Sequence, residues 1–256
     1  MTMILEARNI RKSYGAVPIL KGLDFDLVKG GTHALIGPNG AGKTTLFKVL
    51  TGETSATDGS IRLAGEEIVR APAFRRVQKG IGRTFQVARI FLDMSALENL
   101  MVTVERRLRM TGRPTGPWYD FRPSADVRRE AMARLAEVGL DSRAETPSRY
   151  LSHGDKKRLE LALALALEPE ILMLDEPTAG MSPPERHRTV DLLKRLKAER
   201  GFTMLMTEHD VDVIFGLADA AMVLNYGEII ARGTPEAVRQ DPMVREVYLG
   251  QEDANA

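Results

Sequence analysis

The residues Gly37-Pro38-Asn39-Gly40-Ala41-Gly42-Lys43-Thr44 decide the fold class of this chain. They carry the spacing G-x-x-x-x-G-K-[ST] in full. A short apolar run, residues 32–36, leads into them, and residues 44–50 follow with a helical pattern that Gly52 is placed to end. Strand, glycine-rich turn and helix in that order gather several backbone N–H groups around one point, because glycine lets the chain curl tightly. The helix start adds the positive end of its dipole. Lys43 supplies a mobile cation for β- and γ-phosphates, and the Thr44 hydroxyl suits a Mg²⁺ ion, with Thr45 beside it in the first helical turn. A glycine turn without a ligand would need neither these flanks nor the lysine.

Residues 171–174, Ile-Leu-Met-Leu, form an apolar strand that ends in Asp175-Glu176. In a parallel sheet the carboxyl ends of the strands face the ligand crevice. Asp175 is therefore expected to hold the metal through water, and Glu176 to orient or deprotonate an attacking water. Residues 203–207 are a further apolar strand, followed by Glu208-His209-Asp210. His209 lies just beyond a strand that should neighbour the other two, so it is a candidate contact for the γ-phosphate. Its plainer role is to cap the helix that begins near Asp210. His33 reads as a strand residue and His187 as a surface helix residue.

The remaining pattern is that of an α/β protein. Residues 3–9 alternate as a half-buried strand does, and residues 59–63 read as a strand running into the turn Ala64-Gly65. Residues 93–139 are largely helical, with Ser95 and Glu98 as a capping pair, a loop at 109–123, and a second helical stretch at 124–138. The short apolar runs 171–174, 203–207 and 221–224 alternate with helical segments, the signature of βαβ units and a mostly parallel sheet. Residues 225–228 read as a hairpin turn. The last residues, 251–256, are polar and expected to fray.

Composition narrows the function classes. The 256 residues have a formal net charge of +1, so nothing global points to nucleic acid. Without cysteine there are no disulfides and no thiolate-metal sites. The first eleven residues carry Glu6, Arg8 and Arg11 and lack the apolar core of a signal peptide. The most apolar stretch, 159–174, is interrupted by Glu160, Glu168, Pro169 and Glu170, so no membrane span is expected.

Leu151-Ser152-His153-Gly154-Asp155 narrows the family. Read from spacing, Ser152 and Asp155 are a capping pair for a buried Leu- and Ala-rich helix that runs to Leu167, and its N-terminus is a second potential anion site. The order phosphate loop, Gln86, Leu151 to Asp155, Asp175-Glu176, His209 resembles the motif set of the ABC ATPases over essentially the whole chain. The resemblance implies a P-loop NTPase (RecA-like) core at residues 1–88 and 166–235, with an N-terminal antiparallel β part. It implies a helical subdomain at about residues 89–165 and a C-terminal extension at 236–256.

It also implies ATP and Mg²⁺ as cofactors. Tyr14 is then expected to stack on adenine, and Gln86 to sense the metal and couple to a transporter. Catalysis would rest on Glu176, His209, Lys43 and Gln86, and the metal on Thr44, Gln86 and Asp175. Ser152 and Gly154 would approach phosphate from a second subunit. Residues 179–182 occupy the D-loop position. His153 and Asp155 depart from the common L-S-G-G-Q.

Within the family, Gly82-Arg83-Thr84-Phe85-Gln86, Glu98-Asn99-Leu100 and the ending Val244-Arg245-Glu246-Val247-Tyr248-Leu249-Gly250 look like the branched-chain and hydrophobic amino acid uptake group. The insert before the signature resembles the larger ATPase subunit of such systems. The implied partners are a second ATP-binding subunit, identical or not, transmembrane permease subunits and, indirectly, a solute-binding protein, at the cytoplasmic face of the plasma membrane. Alternatives are a lipopolysaccharide-export ATPase of the same fold, a non-transport ABC ATPase acting on nucleic acid or the ribosome, and a regulatory module without turnover. Arg83 to Gln86, the single phosphate loop without heptads, and Glu176 argue against these in turn.

Overall fold

A four-stranded antiparallel sheet and a six-stranded, mostly parallel sheet organise the protein, whose computed structural model describes residues 2–85, 88–112 and 124–246. The first sheet opens with the hairpin of β1 (Met3–Tyr14) and β2 (Val17–Val28). In β2, Leu23, Phe25 and Leu27 are buried at every second position, the period of a one-sided strand. The chain then passes through β3 (Thr32–Ile36) and α1 (Lys43–Thr51), and returns as β4 (Asp58–Leu63) and the short β5 (Glu66–Glu67). The order is β2-β1-β4-β5. The turn between β4 and β5 is Ala64-Gly65, both at positive φ, as expected from sequence.

Two strands are longer or newer than the sequence pattern suggests. β1 continues past Asn9, where φ is 49° and the register with β2 shifts between Ala7 and Ile10. That bulge resets which side chains face the core, so the alternation breaks in the sequence while the strand does not. β2 is not evident from the pattern, nor are α2 (Ala73–Gln78) and β6 (Ile81–Arg83). These last two are too short to display a period.

The helical lobe follows: α3 (Ala96–Met110), α4 (Ala125–Glu137) and α5 (His153–Ala166). Ser95 and Glu98 form the expected reciprocal capping box on α3. Arg109 and Met110, expected in a loop, lie in the last turn of α3; residues 113–123 of that loop, and 251–256, fall outside the described residues. The remaining elements are β7 (Ile171–Asp175), α6 (Pro183–Arg200), β8 (Thr203–Thr207), α7 (Val211–Leu217), β9 (Ala220–Asn225), β10 (Glu228–Gly233) and α8 (Pro235–Gln240). Gly52 ends α1 with φ 77°, and Tyr226-Gly227 turn the β9–β10 hairpin with both φ positive.

The second sheet has the order β10-β9-β3-β8-β7-β6, parallel except for β10. Its central strands are buried on both faces, which is why they read as unbroken apolar runs. Ile171 and Met173 of β7 and Leu205 of β8 join the core beneath the antiparallel sheet and α1. Leu172, Leu174, Met204 and Met206 face the opposite core, with α6, α7 and α8. A third cluster holds the lobe together through Leu97, Leu100, Val104, Val127, Ala131 and Leu135. The helix α5 belongs to both sides: Leu159, Ala162 and Ala166 pack into the lobe, while Leu161, Ala164 and Leu165 pack into the sheet. Burying each such leucine is worth about 1.5–3 kcal/mol, so packing on both sides lets α5 join the two bodies.

Candidate active site

Strand pairing brings the predicted residues of the core to one edge. Leu35 of β3 and Asp175 of β7 each pair with Thr207 of β8. Three strands therefore end level, and the residues that follow them include Gly37, Glu176 and Glu208. The loop from Gly37 to Gly42 needs glycine at both ends for different reasons. At Gly37 a Cβ would lie 2.0 Å from the carbonyl oxygen of Leu224, an approach no side chain survives. Gly42 has φ 112° and is the N-cap of α1, which starts without a side-chain cap. The first-turn N–H groups, at Lys43, Thr44 and Thr45, have no intrahelical acceptor by helix geometry. They and the dipole end make this an anion-binding turn.

The lysine of the loop is buried. Lys43 Nζ donates to the carbonyls of Gly37 at 2.6 Å and Pro38 at 3.0 Å. Burial pushes its pKa down, and the charges of Glu176 and Asp175 pull it back up. So the cation and the two carboxylates already sense one another across the crevice.

Asp175 is 7% exposed, and both of its oxygens are engaged. Oδ1 accepts from Thr207 Oγ1 at 2.9 Å, and Oδ2 accepts from Arg83 Nη2 at 2.9 Å. Arg83 also reaches Glu53 at 2.5 Å, and its guanidinium lies 4.9 Å from the Phe85 ring centroid. In the sequence Arg83 stands out only as part of a family resemblance; its role as the cation of Asp175 emerges from the fold.

Glu176 takes a conformation that side-chain-bearing residues rarely adopt, with φ 49°. Its N–H is shared between the carbonyl and the hydroxyl of Thr207, each at 3.1 Å. Its Oε1 lies 3.0 Å from His209 Nε2. His209 thus stands against the carboxylate rather than capping a helix: Asp210 caps α7, accepting from the N–H groups of Asp212 and Val213. Glu208, buried and absent from the expected set, ties the two loops together. Its Oε1 accepts from Thr178 N–H at 2.9 Å and Thr178 Oγ1 at 2.6 Å, and its Oε2 from the N–H of His209 at 3.1 Å.

The other predicted residues lie around this centre. Tyr14 is half exposed at the tip of the β1–β2 hairpin, with Lys12 Nζ 4.9 Å from its ring centroid. The same hairpin meets the loop through Leu20, which would be 3.0 Å from a Cβ on Gly42. Gln86 lies outside the described residues. Its neighbours Phe85 and Arg89 donate their N–H groups to Glu160 Oε1 of α5, at 3.0 and 3.2 Å. Burial raises the pKa of that glutamate and the two N–H bonds lower it.

Ser152 and Gly154 open α5. Ser152 Oγ accepts from Asp155 N–H at 3.1 Å, but the Asp155 carboxylate turns to Arg158 instead of completing a reciprocal box. His153 Nε2 sits 3.5 Å from where a Cβ on Gly180 would lie, so the helix start lies beside Gly180. Among the described residues no hydrogen bond joins Ser152 or Gly154 to the loop at residues 37–45. His33 is a buried strand residue whose Nε2 accepts from Val28 N–H at 3.0 Å, and His187 is exposed on α6. No group of three or more acids or histidines placed to hold a metal ion by themselves, and no helix long and apolar enough to cross a membrane, occurs among the described residues.

Residues 20–179 match a family model described as ABC transporter, and residues 228–254 match one described as branched-chain amino acid ATP-binding cassette transporter. The high-affinity branched-chain amino acid transport ATP-binding protein BraF of Pseudomonas aeruginosa is 38% identical over 97% of this chain and 98% of its own length. The corresponding LivG of Escherichia coli K12 is 35% identical, with the same coverage of both chains. Among solved structures, the ADP conformation of MJ1267, an ATP-binding cassette of an ABC transporter, superposes with a TM-score of 0.85 and 30% identity, covering 98% of this chain and 100% of that one. With the phosphate loop and the acid pair at strand ends on either side of β8, these likenesses over the full length establish that the chain belongs to the ABC transporter family, as one of its ATP-binding, ATP-hydrolysing subunits.

Proposed function

We propose that this subunit uses ATP hydrolysis to drive import of branched-chain or other hydrophobic amino acids, or related amides, at the cytoplasmic face of the plasma membrane. Its partners in this reading are a second ATP-binding subunit, transmembrane permease subunits and, through these, a solute-binding protein. The division of labour follows the sequence boundaries given above, with the surface around Gln86 to Glu98 meeting the permease. The match of residues 228–254 supports the solute class over lipopolysaccharide export.

The observation that carries the chemistry is Glu176, held at a strained φ and paired with His209 at 3.0 Å, beside the phosphate loop. In this reading the N–H groups of residues 37–45 and Lys43 hold the β- and γ-phosphates, and Tyr14 stacks on the base. The donor set suits Mg²⁺, which takes few protein oxygens and keeps water and phosphate ligands. Thr44 would bind it directly, Gln86 would contribute, and Asp175 would act through water, since its oxygens already accept from Thr207 and Arg83. The metal would neutralise charge on the phosphate oxygens. Glu176 orients one water in line with the γ-phosphoryl group and accepts its proton, and His209 fixes the carboxylate and faces the γ-phosphate. Because the transition state spreads charge without much covalent chemistry for the protein, positioning and electrostatics do most of the work. Ser152 and Gly154 offer the start of α5 to the nucleotide of the second subunit.

The chemistry is tested by ATP affinity and single-turnover hydrolysis of Glu176→Gln and Lys43→Ala. The first should retain binding and lose turnover, and the second should lose both. The solute is tested by deleting the gene and measuring uptake over a panel of apolar amino acids and amides. Unchanged uptake together with an envelope defect would favour lipid export instead.

A further inference from the structure

We propose that Lys157 is a positioning residue for hydrolysis, holding the main chain of Glu176 from the same helix whose start presents Ser152. The proposal rests on the reading of Glu176 as the group that activates water.

Lys157 lies on α5, five residues beyond Ser152, and is only 8% exposed. A lysine is seldom buried without a partner, because taking an ammonium out of water is costly. Four carboxylates act on it through their charge: Glu160, Glu208, Glu176 and Asp175. Its hydrogen bond goes to the main chain nonetheless, from Nζ to the carbonyl oxygen of Glu176 at 2.8 Å. That carbonyl ends the residue whose φ is 49°. Thr207 holds the same residue from its N–H side, through two acceptors at 3.1 Å. The Glu176 backbone is therefore gripped at both ends, by β8 at the N–H and by α5 at the carbonyl.

A residue stays in the left-handed region only when its surroundings over-determine it. Releasing the carbonyl would let the peptide relax and swing the carboxylate away from His209. The next turn of α5 carries Glu160, which accepts the N–H groups of Phe85 and Arg89. One rigid helix thus touches the Glu176 loop and the segment on either side of Gln86, and its own N-terminus is displayed toward a second subunit. A small displacement of α5 reaches the Glu176 carboxylate through Lys157.

The test uses the full-length chain as wild type, K157M, E176Q and the double variant, each assayed for ATP affinity, thermal unfolding and single-turnover hydrolysis. K157M should lower hydrolysis on the order of 10- to 100-fold, the size expected when a reacting group is misplaced slightly. ATP affinity should stay within about twofold, since the hydrogen bond of Lys157 goes to Glu176 and not to the phosphate loop. In the E176Q background, K157M should cause no further loss, because the group it positions is already gone. An equal fold-loss in both backgrounds would show a merely structural lysine and overturn the proposal. So would parental hydrolysis by K157M while E176Q is inactive. If E176Q itself turns over at the parental rate, the reading of Glu176 fails first. Should K157M not fold, K157Q takes its place, and the same two results support or overturn the proposal.

Discussion

The crevice at the ends of β3, β8 and β7, where α1 begins, and the start of α5 each hold a helix N-terminus, yet the chain treats them differently. In the crevice the charged side chains are tied to other groups: Asp175 to Thr207 and Arg83, Glu176 to His209, Lys43 to its own loop. At the start of α5, Ser152 is exposed and, among the described residues, bonds only within its own turn. In the proposed reading, one half-site is built by the fold and the other is displayed by it. A displayed cap is what a composite site between two subunits requires, and a preformed crevice is what catalysis by positioning requires.

The largest expected effect falls in the crevice. Glu176→Gln should cut single-turnover hydrolysis by about 10²–10⁴-fold, the usual worth of general-base help, while ATP binds as before or more tightly. Parental turnover would remove Glu176 from its role and make His209 the next candidate.

Next comes the crevice's internal charge. Arg83 is nearly buried between Asp175 and Glu53. Arg83→Met would leave both carboxylates without their cation, so unfolding in urea should show a loss of about 3–5 kcal/mol. A loss below about 1 kcal/mol would mean that the crevice is held by packing, not by the pair.

The displayed half-site predicts complementation. Lys43→Ala and Ser152→Arg chains should each be inactive alone. Mixed equally, they should regain up to about a quarter of the parental sites, since half of the dimers are mixed and each holds one intact composite. Mixtures that stay inactive although mixed dimers are shown to form would argue that each chain completes its own site.

The smallest effect separates scaffold from site. His33 sits at the opposite end of β3 from the loop, with its Nε2 3.0 Å from the nitrogen and 3.5 Å from the oxygen of Val28. Burial lowers its pKa from 6.5 and outweighs the hydrogen bond to Val28, which raises it. The unfolded chain therefore takes up a proton before the folded one does, and stability should fall as pH drops below about 6.5 toward the lowered folded value. Urea midpoints of wild type and His33→Asn across that window should show a shallower slope in the variant. Equal slopes would assign the acid sensitivity elsewhere.

Much of the molecule is legible in one dimension because it depends on local rules. A glycine needed where Cβ would strike Leu224, a lysine one residue before a helical threonine, and two acids after an apolar strand are all set by spacing. Capping marks Ser95 and Ser152, and the positive φ of the 226–227 turn is readable as a hairpin. Gln86 is legible too, but lies outside the described residues.

What required the tertiary structure is the set of residues that hold the site from a distance. Strand order is not written in any segment: β3, β8 and β7 are neighbours although residues 37–170 separate the first from the last. Only that order puts His209 against Glu176 and sets Thr207 beneath both acids. Arg83, Glu160 and Glu208 look like ordinary charges in sequence, and Lys157 like one of a basic run, Lys156-Lys157-Arg158. Their burial makes them specific, because a buried charge must find a partner, and which partner is fixed by the packing of α5 across the sheet and the lobe.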